Sequence, residues 1–141
     1  IERYFLRYPG VKAYMDRTRN EARENGYVET VFGRRLFLSE IRAANAARRQ
    51  AAERAAINAP MQGTAADLIK LAMIAVQQWL DDKRLQSRLI MQVHDELVLE
   101  VLEDELTLLQ RELPALMTGV ATLSVPLVVD VGVGDNWEKA H

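Results

Sequence analysis

Leu89 to Val101 reads LIMQVHDELVLEV, and this stretch decides the fold. It contains two short apolar runs, Leu89–Val93 and Leu97–Val101, broken only by Gln92 and Glu100. Partly β-branched runs of that length suit half- or fully buried strands. His94, Asp95 and Glu96 join them, so the stretch predicts a hairpin with a tight polar turn. Tight hairpin turns need positive φ and favour glycine, because a side chain clashes there. This turn has no glycine. His and Asp tolerate the left-handed region better than most residues. Carboxylates held at a hairpin tip against local turn preference mark a place where function can override propensity. The alternative is a solvated turn whose acids simply keep it wet.

The sequence on either side predicts helices. Residues 45 to about 83 form the longest helical region, rich in alanine in its first half, the strongest helix former. Pro60 lies inside it and predicts a kink or break, since proline removes a helix hydrogen bond and crowds the preceding turn. Thr64–Leu80 is apolar almost all round, which predicts burial on more than one side. Glu103–Met117 is amphipathic, with Leu106, Leu109, Leu113 and Leu116 inward and Pro114 interrupting its last turn. Upstream, Pro9-Gly10 divides the opening helical segment, so a helix is expected over Val11–Asn25 with Gly26 as its stop. A first hairpin follows: Tyr27–Val31, a Phe32-Gly33 turn, and Arg34–Leu38. Ser39 or Asn45 can cap the long helix. At the far end Leu127–Val133 reads as a final strand, and Gly132, Gly134 and Asp135-Asn136 are expected to loosen the chain. The order predicts an α+β fold, long helices packed on a small antiparallel sheet.

The 141 residues make one domain or part of one. The chain starts at Ile1 in mid-helix rather than at a methionine, which reads as a piece of a longer protein. A hydrophobic content of 49% and a net charge of −2 fit an ordinary globular chain. Without cysteine there is no disulfide framework or thiolate metal site, which fits a reducing cytoplasm. No apolar run approaches the roughly 20 residues of a membrane span. Charge is unevenly placed. Gly33–Gln62 holds six arginines against two acids, whereas Asp95–His141 holds ten acids against Arg111 and Lys139. One region is suited to an anion, the other to water or a cation.

Two features could carry chemistry. Asp95 and Glu96 offer hard oxygen ligands suited to Mg²⁺, which commonly takes one or two carboxylates plus substrate phosphates and water. His94 beside them also suggests a His-Asp metal-dependent hydrolase, but such a site needs further histidines and only His141 remains. On the long helix, Arg54, Asn58 and Gln62 are spaced i, i+4, i+8 and form one polar ridge. Ala51, Ala55 and Ala59 flank it and would let a flat partner approach. Arg, Asn and Gln side chains suit the minor groove, where acceptors occur at every base pair. Arg48 and Arg49, a turn earlier, suit phosphates. An ordinary polar helix face, its side chains bonded to one another in ladders, is the competing explanation.

The run RRQAAERAAINAPMQGTAADLIK (Arg48–Lys70), followed by IMQVHDELVLEV (Ile90–Val101), closely resembles the family A DNA polymerases. RYPGVKAYMDRTRNEARENGYVET (Arg7–Thr30) and VPLVVDVGVGDNWEKAH (Val125–His141) match the same family in the same order, and the VHDE tetrad resembles its third polymerase motif. The ending at His141 resembles the family's own terminus. The resemblance implies a palm section over about 45–141, with the base of the fingers and a hairpin over about 1–44. By position, Asp95 corresponds to a metal-binding aspartate and Glu96 to a neighbouring acid that assists it. His94 corresponds to a histidine near the primer end, and Gln92 lies on the strand approaching it. Arg54, Asn58 and Gln62 correspond to residues touching the minor groove of a primer–template. The implied reaction is DNA-directed nucleotidyl transfer with two Mg²⁺ ions, using deoxynucleoside triphosphates, primer–template DNA and the upstream polymerase chain as partners, with no membrane. The family's first motif, with its other aspartate, and its nucleotide-binding fingers helix have no counterpart here. The isolated chain is therefore expected to be inactive. A non-catalytic nucleic-acid-binding module of the same fold is the alternative.

Overall fold

The computed structural model describes residues 2–141; Ile1, which the sequence reading includes in the first helix, lies outside them. By internal contact the chain divides into two compact units, Ile1–Thr64 and Ala65–His141.

The first unit opens with α1 (Glu2–Arg7) and α2 (Pro9–Asn25). α2 starts two residues before the expected Val11, because Pro9 enters at its first turn, where a missing N–H costs nothing. Gly26 ends it in the left-handed region, at φ +78°, and its N–H donates to the Ala22 carbonyl. The Arg42 guanidinium then donates to the carbonyls of Arg23 and Glu24, at 2.6 and 2.7 Å. Next come β1 (Tyr27–Glu29) and β2 (Arg35–Phe37), an antiparallel pair shorter than the sequence suggested. A short 3₁₀ turn, Ser39–Arg42, leads to α3 (Ala46–Asp82). Asn45 caps α3, its side-chain oxygen accepting from the Arg48 N–H at 3.1 Å. Ala22, Val28, Leu38, Ile41, Ala52 and Ala56 form this unit's core. Alanines on α3 let the β1–β2 hairpin and α2 come close to the helix axis.

α3 runs unbroken through Pro60, so of the kink or break expected there the break does not occur. The one lost hydrogen bond, to the Ala56 carbonyl, is small against the bonds on either side; the Thr64 hydroxyl separately donates to the Pro60 carbonyl. α4 (Glu103–Thr118) repeats the arrangement: it continues past Pro114, whose carbonyl accepts from Thr118 at 2.8 Å.

In the second unit, α3 ends at Asp82 with Arg84 in the left-handed region, at φ +54°. The Leu85 N–H donates to the Leu80 carbonyl and the Arg84 N–H to the Asp81 carbonyl. This is the double-bonded C-terminal stop usually supplied with a glycine. β3 (Arg88–Val93) and β4 (Glu96–Glu100) follow as a second antiparallel pair. Leu89 faces Leu99 while Met91 faces Val98, so Ile90 is the extra residue of a bulge. Val76, Leu80, Leu109 and Leu113 are buried at the centre, with Leu89, Leu97, Leu99 and Val101 packed against them. The helix Thr64–Leu80 is less enclosed than expected. Ile69, Ala72, Val76 and Leu80 are buried, but Leu71 and Ile74 face outward.

Leu127–Val133 is not a strand. Its residues are extended-strand formers by composition, but the second sheet consists of β3 and β4 alone among the described residues. Nor is the following segment loose. A short 3₁₀ turn, Glu138–Ala140, is held by the Asn136 side chain accepting from the Lys139 N–H. A Cβ at Gly132 would come within 1.7 Å of the Ala140 carbonyl oxygen, and one at Gly134 within 2.6 Å of the Lys139 carbonyl carbon. These glycines make room for a close backbone approach.

Candidate catalytic hairpin and nucleic-acid interface

Val93 pairs with Glu96, so the turn between β3 and β4 is only His94-Asp95; Glu96 belongs to β4 and not to the turn. His94 alone of the two takes positive φ, +52°. A non-glycine residue there costs roughly 1–2 kcal/mol. The Gln92 side-chain amide donates to the His94 carbonyl at 2.8 Å and braces the turn from within the hairpin. His94 and Asp95 are exposed. Among the described residues the Asp95 carboxylate meets no donor and no cation.

Glu96 differs. The His141 Nε2 lies 2.8 Å from its Oε1, and the Trp137 indole N–H points at its Oε2 across 3.4 Å. The His141 Nδ1 lies 2.9 Å from the Trp137 carbonyl, and the two rings meet edge to face. The Trp137 carbonyl, then the Glu96 carboxylate by hydrogen bond and by charge, raise the His141 pKa. When protonated, the imidazole donates from both nitrogens. The tip therefore carries two carboxylates in different states: Asp95 free, Glu96 held. No group of three or more metal-ligating side chains assembles among the described residues. The donor set fits a hard cation that completes its shell with water, phosphate or other donors. A recess lined by Gln77, Asp81, Ser87, Arg88 and Glu100 among others lies at the other end of the hairpin from the tip.

The ridge on α3 forms as its spacing suggested. Arg54, Asn58 and Gln62 are all exposed, on a turn-by-turn row, with Ala52 and Ala56 buried behind them. None of the three has a side-chain hydrogen bond or ion pair among the described residues. Arg48 is exposed and reaches Glu40 only at 4.0 Å. Arg49 is half-buried and donates to the Ala43 carbonyl at 3.0 Å, so part of its guanidinium serves the loop before α3. Trp137 and His141 were not singled out from sequence as hairpin partners. Their i, i+4 spacing was visible, but nothing local links them to Glu96, more than forty positions away.

The chain matches the family model for DNA polymerase family A over residues 1–139. It is 62% identical to DNA polymerase I of Pseudomonas aeruginosa over its whole length, and spans 15% of that protein. It is 46% identical to the thermostable DNA polymerase I of Thermus aquaticus over 140 residues, or 17% of that protein. It superposes with a TM-score of 0.96 and 48% identity on the polymerase domain of Pol1 from M. smegmatis, solved in complex with DNA primer-template and dNTP; the match covers 99% of this chain and 24% of the other. Among the described residues, no helix is long and apolar enough to cross a membrane. With the family model matched almost from end to end, the chain belongs to the family A DNA polymerases.

Proposed function

We propose that this chain is the palm section, with the base of the fingers, of a cytoplasmic DNA polymerase I that adds deoxynucleotides to a primer 3′ end. In this reading residues from about 45 onward are palm and about 1–44 are fingers base. Asp95 binds a catalytic Mg²⁺ directly, and Glu96 supplies a second negative charge beside it. When bound, two such ions would activate the primer 3′-hydroxyl and neutralise charge on the leaving pyrophosphate. The chain's own residues hold and orient. Gln92 and His94 set the turn that carries Asp95 and face the primer end. Arg54, Asn58 and Gln62 donate into the minor groove of the primer–template, reading pair geometry rather than base identity. Arg48, and Arg49 in part, meet phosphates.

The observation that carries this reading is an exposed, unpaired aspartate at a strained hairpin tip, next to a glutamate whose oxygens are already engaged. Asp95→Asn in the intact polymerase tests it. Losing several kcal/mol of charge stabilisation should cut single-turnover incorporation on the order of a thousand-fold, with primer–template affinity little changed. Retained turnover would remove Asp95 from the cation site.

One observation favours a second reading, a DNA-binding module without chemistry. The unpaired ridge is complete within this chain, whereas its metal donors are not. Salt-titrated binding separates the two. Preference for a recessed 3′ end over a blunt duplex, lost in Arg54→Ala, supports the polymerase. Equal affinity for both, with only a salt slope lowered by about 1, supports the module.

A further inference from the structure

Glu96 is gripped from a segment that the assigned polymerase motifs do not include. Its two oxygens are taken separately, Oε1 by His141 and Oε2 by Trp137. The segment carrying these donors is itself built in. The Asn136 side chain caps the 3₁₀ turn, Lys139 pairs with Asp135 at 3.3 Å, and Gly132 and Gly134 leave no room for a Cβ against residues 139–140. Two glycines in three residues are thus fitted to a backbone contact whose far side presents an indole N–H and an imidazole to a single carboxylate. Asp95, one residue away, meets neither.

We propose that residues 137–141 are a positioning clasp for the catalytic hairpin, in which Trp137 and His141 orient Glu96 so that Asp95 alone remains a direct cation ligand. This rests on the reading of the hairpin as a cation site. The clasp divides the labour between adjacent acids. A free Glu96 could swing to chelate with Asp95 or turn to solvent; a held Glu96 keeps its charge at a fixed distance. Trp137 and His141 act through Glu96 and touch neither substrate nor cation, so they are positioning residues.

Outer partners of metal-site carboxylates and imidazoles commonly change metal affinity or activity by roughly 10- to 100-fold when removed. The test uses the intact polymerase and reads Mn²⁺ affinity by electron paramagnetic resonance without nucleotide, alongside the Mg²⁺ dependence of primer extension. His141→Ala and Trp137→Phe should each weaken Mn²⁺ binding by about 10-fold. His141→Gln, which keeps a side-chain N–H, should recover most of it. In a Glu96→Ala background neither variant should have any further effect on Mn²⁺ affinity. Gly132→Ala, which displaces the segment without touching a donor, should reproduce His141→Ala. Clasp variants that lower melting temperature but bind Mn²⁺ as wild type, or that lose affinity equally in the Glu96→Ala background, would overturn the proposal. Asp95→Asn separates the two levels. If it loses Mn²⁺ affinity while the clasp variants keep theirs, the clasp is wrong and the hairpin reading stands. If it keeps full affinity, the hairpin reading falls and the clasp with it.

Discussion

The two hairpins of this chain solve the same local problem in opposite ways. Between β1 and β2 the loop is made by residues suited to it. The Thr30 hydroxyl accepts from the N–H groups of Phe32 and Arg34, at 3.2 Å each, and the positive φ falls on Gly33. Thr30 also fits against Gly63 of α3, where a Cβ would lie 2.6 Å from its methyl. Between β3 and β4 the turn is two residues long, the positive φ falls on a histidine, and an aspartate stands free beside it. The first hairpin follows turn preference and carries none of the proposed chemistry. The second sets turn preference aside and carries the acids. Of the two hairpins, the one whose turn departs from local propensity is the one that carries the proposed site.

The contrast can be broken most directly by making the second turn like an ordinary one. Replacing His94 and Asp95 with Gly and Asn puts glycine where the positive φ falls, the preferred choice for a two-residue hairpin turn with positive φ at its first position alone. The folded hairpin should gain about 1 kcal/mol in stability, while nucleotide incorporation by the intact polymerase falls on the order of a thousand-fold. Chemical denaturation and single-turnover kinetics on one variant read both. A loss of stability would mean that the native tip is not strained.

The support beneath that hairpin comes next. Leu109 is only 1% exposed and belongs to the cluster on which Leu89, Leu97 and Leu99 rest. Leu109→Ala should cost about 3 kcal/mol through lost burial and the cavity left behind, read as a shift in denaturation midpoint. In the first hairpin, Gly33→Ala should cost about 1 kcal/mol, because φ is +80° there and an L side chain is strained. The same substitution at Gly10, where φ is ordinary and nothing lies within 4 Å, should be tolerated.

The smallest effect concerns the base of the second hairpin. Glu105, at the start of α4, accepts from the Ser87 hydroxyl and from the N–H groups of Gln86 and Ser87, at 2.9 Å each. The Ser87 hydroxyl first, then the backbone donors, lower its pKa below the usual carboxylate value. A depressed folded pKa means that this contribution is present above the unfolded carboxylate pKa. It is lost as pH falls through the folded value. Melting temperature should therefore drop on acidification from about pH 5 downward, and drop less in Glu105→Gln.

The hairpins, the three long helices and the ridge were legible because they rest on local pattern. Apolar runs, alanine content and the i, i+4, i+8 row all report on a few consecutive turns. Extra information was needed where the deciding contact is remote. Leu127–Val133 has strand composition, but a strand needs a neighbour, and composition does not say whether one is present. Pro60 was expected to kink or break its helix and Pro114 to interrupt a last turn, yet neither helix breaks, because each proline removes a single bond and the turns on both sides remain. Gly132 and Gly134 suggested looseness because glycine is permissive. Their role is close approach, which depends on residues 139–140 folding back. The free and held states of Asp95 and Glu96 were beyond sequence for the same reason, since His141 reaches Glu96 from 45 positions away.

The central claim is that Asp95 touches a catalytic cation. Anomalous diffraction from crystals of the intact polymerase, with primer–template, an unreactive nucleotide and Mn²⁺ in place of Mg²⁺, tests it directly. A metal peak is expected at coordination distance, about 2.1 Å, from an Asp95 carboxylate oxygen, with Glu96 still hydrogen-bonded to Trp137 and His141. A fully occupied metal site with Asp95 turned into solvent would contradict it.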